Sequence, residues 1–126
     1  MNKSNQHGIT GEVIAAKFLT TKGYDIVALN YRSCYGEIDI IASNDEYIVF
    51  VEVKSREQDA YFLPREAVTK KKQKNIIKTA MQYLGVAEPK LQPRFDVIEV
   101  YTNYKNKSEK IKINHIKNAF WAEGYV

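Results

Sequence analysis

The chain has 126 residues and a mass of 14.5 kDa, with 44% hydrophobic and 27% charged residues, the balance of one globular domain with a single core. Its 19 basic and 15 acidic residues leave a net charge of +4, compatible with a polyanionic partner but not diagnostic of one. The longest apolar run, Tyr47 to Val51, is too short to cross a bilayer, the opening MNKSNQ lacks the apolar stretch of a signal peptide, and Cys34 is the sole cysteine, so an internal disulfide is excluded and a cytoplasmic protein without a membrane span is expected.

In the first segment Ile9, Glu12, Val13, Ala16, Leu19 and Thr20 share one broad stripe at about 100° per residue, and Gly23 is a stop, which predicts a helix over 8–23. Residues 25–31, 36–43 and 47–56 are rich in Ile, Val, Phe and Tyr and predict three strands, with a hairpin turn at 43–45. Pro64 precedes a run in which Ile77, Ala80, Met81 and Leu84 recur at helical spacing before Gly85, so a helix is expected over 65–84. Strands are expected at 94–101 and 110–114, on either side of a turn-like stretch at 103–108, followed by a short helical piece at 116–121. No repeat or linker interrupts residues 1–126, which read as one α/β domain in the order αβββαββ. The second helix is the crossover between the third and fourth strands, which predicts a right-handed connection, a parallel pair at that point and a mixed central sheet flanked by helices.

Strand alternation puts Ile48, Phe50, Glu52, Lys54 and Arg56 on one face of the third strand and Val49, Val51 and Val53 on the other. In the preceding strand Asp39 stands among isoleucines, and the hairpin can bring it opposite Glu52. Paired carboxylates repel unless one is protonated or a cation lies between them, and their oxygens are the hard ligands that Mg²⁺ uses. A structural network is equally open, with Glu52 paired to Lys54 and Asp39 to another cation. Glu12 weighs against it, because a helix meant only to pack would carry Leu or Ile on the stripe shared with Ala16 and Leu19.

From Arg65 to Lys78 six basic residues face one acid, and a second basic stretch runs from Lys105 to Lys117. Lys70, Lys74 and Lys78 share a stripe, either a solvated face or a surface for phosphates. Arg32 leads into a loop and is open to the same two readings. Asp96 is open to two readings, a residue that helps shape the site or, since it shares the parity of Arg94, the partner of that arginine in a structural ion pair. His7 and His115 lack a metal-ligand spacing, and His115 reads as a cap or core contact. Cys34 has no base beside it to make it a nucleophile, and Tyr31, Tyr35 and Tyr61 read as surface and core residues rather than base-stacking platforms.

The blocks Gly8-x-x-Gly11-Glu12, Asn30-Tyr31-Arg32, Gly36-Glu37-Ile38-Asp39-Ile40-Ile41-Ala42, Phe50-Val51-Glu52-Val53-Lys54, Glu66-Ala67-Val68, Arg94-Phe95-Asp96-Val97 and the closing His115 to Phe120 cover nearly the whole chain. In that order they resemble the YraN-like bacterial group of predicted endonucleases in the PD-(D/E)xK nuclease superfamily, a superfamily that also holds the archaeal Holliday-junction resolvases. Ile38 stands where the superfamily's name has proline. The resemblance implies a restriction-endonuclease-like fold and a metal-dependent endonuclease that hydrolyses phosphodiester bonds in DNA, branched or structured DNA included. The alternative it leaves is a nucleic-acid-binding repair accessory protein of the same fold with little turnover. It further implies that Asp39, Glu52 and the backbone carbonyl of Val53 hold one or two Mg²⁺ or Mn²⁺ ions, with Glu12 completing the site directly or through water. Lys54 would orient the attacking water or neutralise the charge on phosphorus, and Gln73 would lie near the site. With Lys70, Lys74, Lys78 and Arg32 on the DNA backbone, the expected partner is DNA, and a homodimer is compatible with this reading.

Overall fold

The strand-forming segments settle into one five-stranded sheet because each carries apolar residues on both faces, so that each face must be covered by a helix. The computed structural model describes residues 3–57, 68–85, 90–102 and 110–121. Its elements are α1 (Lys3–Thr21), β1 (Asp25–Ser33), β2 (Gly36–Ser43), β3 (Tyr47–Glu57), α2 (Lys70–Leu84), β4 (Gln92–Thr102) and β5 (Lys112–Phe120). The strands lie in the order β1-β2-β3-β4-β5, with β3 and β4 parallel and every other neighbouring pair antiparallel. The expected αβββαββ order and mixed sheet are therefore present, with α2 between the parallel strands.

The two faces have separate cores. On one, Ile76, Ile77 and Ala80 of α2 cover Ile38, Ile41, Ile48, Phe50, Phe95 and Val97. On the other, Ala15 and Leu19 of α1 cover Ile40, Ala42, Val49, Val51, Ile98 and Val100. The alternation expected of β3 is thus realised, with Phe50 towards α2 and its flanking valines towards α1. Ile38 and Ile40 would share a face in a regular strand, but they fall in different cores, so β2 is irregular at Asp39.

Five expectations shift, the first being that α1 runs over Lys3–Thr21 rather than 8–23. The buried row of α1 is Gly11, Ala15 and Leu19, whereas Val13 and Thr20 face outward and Glu12 is half-buried. The cause is close approach: a Cβ on Gly11 would overlap the Ser55 hydroxyl and lie 3.2 Å from Ser55 Cβ, so the helix backbone rides directly on β3 there. Helix α2 starts at Lys70 rather than 65, because Thr69 is extended (φ −62°, ψ 155°) and its hydroxyl accepts the Lys72 N–H at 3.2 Å as an N-cap. Its buried row is Ile76, Ile77, Thr79 and Ala80, leaving Met81 exposed. Gly85 closes the helix at φ 61°, donating its N–H to the Met81 carbonyl at 3.0 Å.

The helical piece expected at 116–121 is instead the end of β5. An i, i+4 pair such as Ile116 and Phe120 shares a face in a strand as well as in a helix. What decides is Asn118, in the left-handed region at φ 55°, whose N–H donates to Asp96 Oδ1 at 2.9 Å where the β4–β5 register shifts between Phe95 and Val97. Phe120 then stacks on Phe95 with ring centroids 5.2 Å apart. At the opposite side of the sheet, β1 shifts register between Ile26 and Ala28 and holds Asn30 at φ 51°. Pro64 to Ala67, Tyr61, the turn at 103–108 and the side chain of His7 lie outside the described residues. Among the described residues no helix is long and apolar enough to cross a membrane.

Candidate functional site

The β2–β3 ladder ends at the pair Ile40↔Val51. One residue further on, Asp39 Oδ2 accepts the Val53 N–H at 2.8 Å. A side-chain carboxylate thus takes a ladder position in the plane of the sheet, where the two strands part. Glu52 lies on the α2 face beside this opening, with only 7% of its side chain exposed. Glu12 approaches from the α1 side, brought close by the contact between Gly11 and Ser55.

Three acids from three elements therefore act on one point. Burial pushes the Asp39 carboxyl up, and Glu52 adds to the rise; the Val53 N–H opposes it, Glu12 raises it further and Lys72 lowers it, so that it sits at about 7 instead of 3.8. The counter-charge comes from α2: Lys72 Nζ lies 2.6 Å from Glu52 Oε1. Burial pulls the Lys72 ammonium down, but the bond to Glu52 and the charges of Glu52, Asp39 and Glu37 outweigh it and leave it above 10.5.

The expected meeting of Asp39 and Glu52, with Glu12 in range, is what the fold brings about. The alternative, a structural pairing of Glu52 with Lys54, is not present: Lys72 takes one Glu52 oxygen, and half-buried Lys54 forms no ion pair among the described residues. Gln73 spends its amide on the Val68 carbonyl at 2.9 Å, closing the start of α2. Arg32 is exposed and lies 3.5 Å from Glu37. Lys70 and Lys74 are exposed, and the Lys78 ammonium sits 5.5 Å from the centre of the Tyr35 ring. The sequence reading missed Lys72, although Lys72, Ile76 and Thr79 repeat at i, i+4, i+7 and so place it at the head of the row that α2 buries.

Two structural networks stand apart from this cluster. Fully buried Asp96 receives Arg94 through Nε at 2.9 Å and Nη2 at 2.8 Å, lies 2.7 Å from His115 Nε2, and leaves Arg94 to donate to the Tyr24 hydroxyl at 2.6 Å. Burial pushes this carboxyl up, yet the bonds from His115, Arg94 and Asn118 hold it below 3.8. The ion-pair reading of Asp96 and the core-contact reading of His115 both hold. On the α2 face Arg56 Nε lies 3.7 Å from buried Glu99, which accepts from Asn114 Nδ2 at 2.8 Å.

Among the described residues no three Asp, Glu, His or Cys side chains form a group set to cage a metal ion. Two neighbouring carboxylates, one raised to about 7 by burial first and by the other acid second, nevertheless suit a hard divalent cation, since Mg²⁺ is commonly held by one or two carboxylates with water and substrate phosphate filling the rest. Asp39 and Glu52 could hold such an ion, with Glu12 within electrostatic reach.

Fold and cluster together define an α/β domain whose mixed sheet opens around clustered carboxylates and a lysine. The chain belongs to the uncharacterised protein family UPF0102, whose sequence profile matches residues 11–100, a span that contains Glu12, Asp39, Glu52, Lys54 and Lys72. It is similar to a UPF0102 protein of Caldanaerobacter subterraneus subsp. tengcongensis, 48% identical over 123 residues that make up 95% of this chain and 100% of the other. A UPF0102 protein of Clostridium beijerinckii is 45% identical over 122 residues, 95% of this chain and 98% of the other.

Proposed function

We propose that this protein is a metal-dependent endonuclease that hydrolyses phosphodiester bonds in DNA, branched or structured DNA included. The observation that carries the reading is Asp39, whose half-buried carboxyl lies within reach of the charges of Glu52 and Glu12 and is held up to about 7, an arrangement that works against stability and that a divalent cation would relieve. The αβββαββ order, with Asp39 on β2 and Glu52-Val53-Lys54 on the adjacent β3, agrees with a restriction-endonuclease-like fold of the PD-(D/E)xK superfamily.

In this reading Asp39 and Glu52, with the Val53 carbonyl, hold one or two Mg²⁺ or Mn²⁺ ions, and Glu12 contributes directly or through water. The bound cation supplies a lowered pKa for water and polarisation of a phosphate oxygen. Lys54, on the Glu52 side of β3, places its ammonium against the charge that builds on the phosphoryl oxygens as water adds to phosphorus and the bond to the sugar oxygen breaks. Lys70, Lys74 and Lys78, with Arg32, hold the DNA backbone without reading bases.

A second reading, a nucleic-acid-binding repair accessory protein with little turnover, draws on Lys72, because Glu52 already has a cation on one oxygen. Incubating junction, flap, duplex and single-stranded DNA, and RNA, with Mg²⁺ or Mn²⁺ separates the two. Cleavage by the parent that Glu52→Ala abolishes is expected. No cleavage of any substrate, with undiminished binding by Glu52→Ala, establishes the accessory role instead.

A further inference from the structure

We propose that Lys72 is a resident counter-cation that competes with the divalent ion for Glu52, so that metal enters this site by displacing an ammonium. The inference rests on the metal-site reading above and assigns a residue to it that lies outside the Asp39/Glu52/Lys54 set.

Three observations lead to it. First, Nζ of Lys72 is 2.6 Å from Glu52 Oε1, so a metal ion arriving on that oxygen meets a like charge already seated there, and the two cations compete for the same carboxylate. Second, the two partners are unequally held. Glu52 is 7% exposed and fixed on a strand with neighbours on both sides, whereas the Lys72 side chain is 51% exposed and enters from solvent on a flexible four-carbon stem. The lysine can leave, and the carboxylate stays. Third, the anchor of that stem is fixed, because the Lys72 N–H donates to the Thr69 hydroxyl that caps α2. The ammonium therefore swings about a set point above the acids. The charges that hold it belong to Glu52, Asp39 and Glu37, and Lys54 remains on the same strand face as Glu52 to balance part of the charge once Lys72 has moved.

The competition gives opposite signs in two measurements on one variant. Removing the charge leaves buried Glu52 without its partner, so Lys72→Gln melts below the parent in chelator. The same change clears the oxygen for metal, so Lys72→Gln binds Mn²⁺ on the order of tenfold more tightly than the parent, while Lys72→Arg, which keeps a cation there, stays near the parent. Manganese affinity is read without DNA, by calorimetry or from the spin signal of free Mn²⁺. A lysine with a purely structural role would leave Mn²⁺ affinity equal or weaker in Lys72→Gln, and that result overturns the inference while the metal reading stands. If neither the parent nor Lys72→Gln binds Mn²⁺, the metal reading itself has failed and the inference falls with it. Binding by Lys72→Gln alone supports both.

Discussion

Asp39→Asn should make the metal-free protein more stable, by an amount that depends on pH. In the unfolded chain the carboxyl titrates near 3.8, and in the folded chain near 7. The folded state thus holds its proton through a range in which the unfolded state has released it. The stabilisation associated with this proton is complete below about pH 4 and is lost as pH rises through about 7. At 1.36 kcal/mol for each pH unit between the two values the full effect is on the order of 4 kcal/mol, and partial exposure at the strand opening reduces it to roughly 2. Asparagine keeps an oxygen for the Val53 N–H and carries no charge against Glu52 and Glu12. For a domain of this size about 1 kcal/mol moves the melting temperature by roughly 4 °C, so the variant should exceed the parent by about 8 °C at pH 8 in chelator. The assay is a pair of melting curves measured from pH 4 to pH 9. The gap should open between pH 4 and 7 and stay level above. Curves that run parallel across this range would refute the claim that Asp39 is the crowded carboxyl.

Divalent ions should reverse that ranking, since an ion that binds only the folded state at a hundred times its dissociation constant adds about 2.7 kcal/mol; Mn²⁺ should raise the melting temperature of the parent but not of Asp39→Asn, as scanning fluorimetry would record. Asp96→Asn should lose about 3 kcal/mol by leaving Arg94 buried against an uncharged partner, and because the Asp96 carboxyl lies below 3.8, its contribution is present above that pH and fades as pH falls further, so urea unfolding at pH 7 and pH 3 should differ less in the variant. Gly11→Ala should cost about 1–3 kcal/mol despite the better helix former, with part regained in Gly11→Ala/Ser55→Ala, and equal stability of single variant and parent would show that α1 does not ride on β3. Replacing Lys70, Lys74 and Lys78 by Gln in an Asp39→Asn background should lower the salt slope of duplex binding by about 0.9 for each phosphate no longer neutralised, and an unchanged slope would leave these lysines as a solvated face.

How much of this could be read from sequence depended on which periodicity carried the signal. The face shared by Glu52 and Lys54, and the nearness of Asp39, follow from the two-residue repeat of β3 and the hairpin before it, and both are present. The helices were harder. Thr79 is buried on α2 because its hydroxyl bonds the Asn75 carbonyl and the Ser33 hydroxyl, and an apolar count cannot see a buried polar residue that is satisfied in this way. The stripe through Ile77, Ala80, Met81 and Leu84 included two buried residues, Ile77 and Ala80, but extended to exposed Met81 rather than back to Ile76, which hid Lys72 among four other lysines. On α1 the contact at Gly11 fixed the rotation, and a residue without a side chain adds nothing to a hydrophobic pattern. The misread end of β5 turned on the backbone of Asn118, tied to an aspartate on another strand, a long-range bond with no local sign.

The irregular backbone of β1 bears on how copies of this chain can meet. As an edge strand it has a partner on one side alone among the described residues, and it carries exposed Val27 and Leu29, the ingredients of runaway strand addition. The register break between Ile26 and Ala28 and the left-handed turn of Asn30 interrupt that row twice within five residues, so a neighbouring chain finds no straight stretch long enough to template on. A second copy would meet this margin only across its kinks, and the exposed Asp25 and Arg32 at the two ends of the strand add charge to that shape.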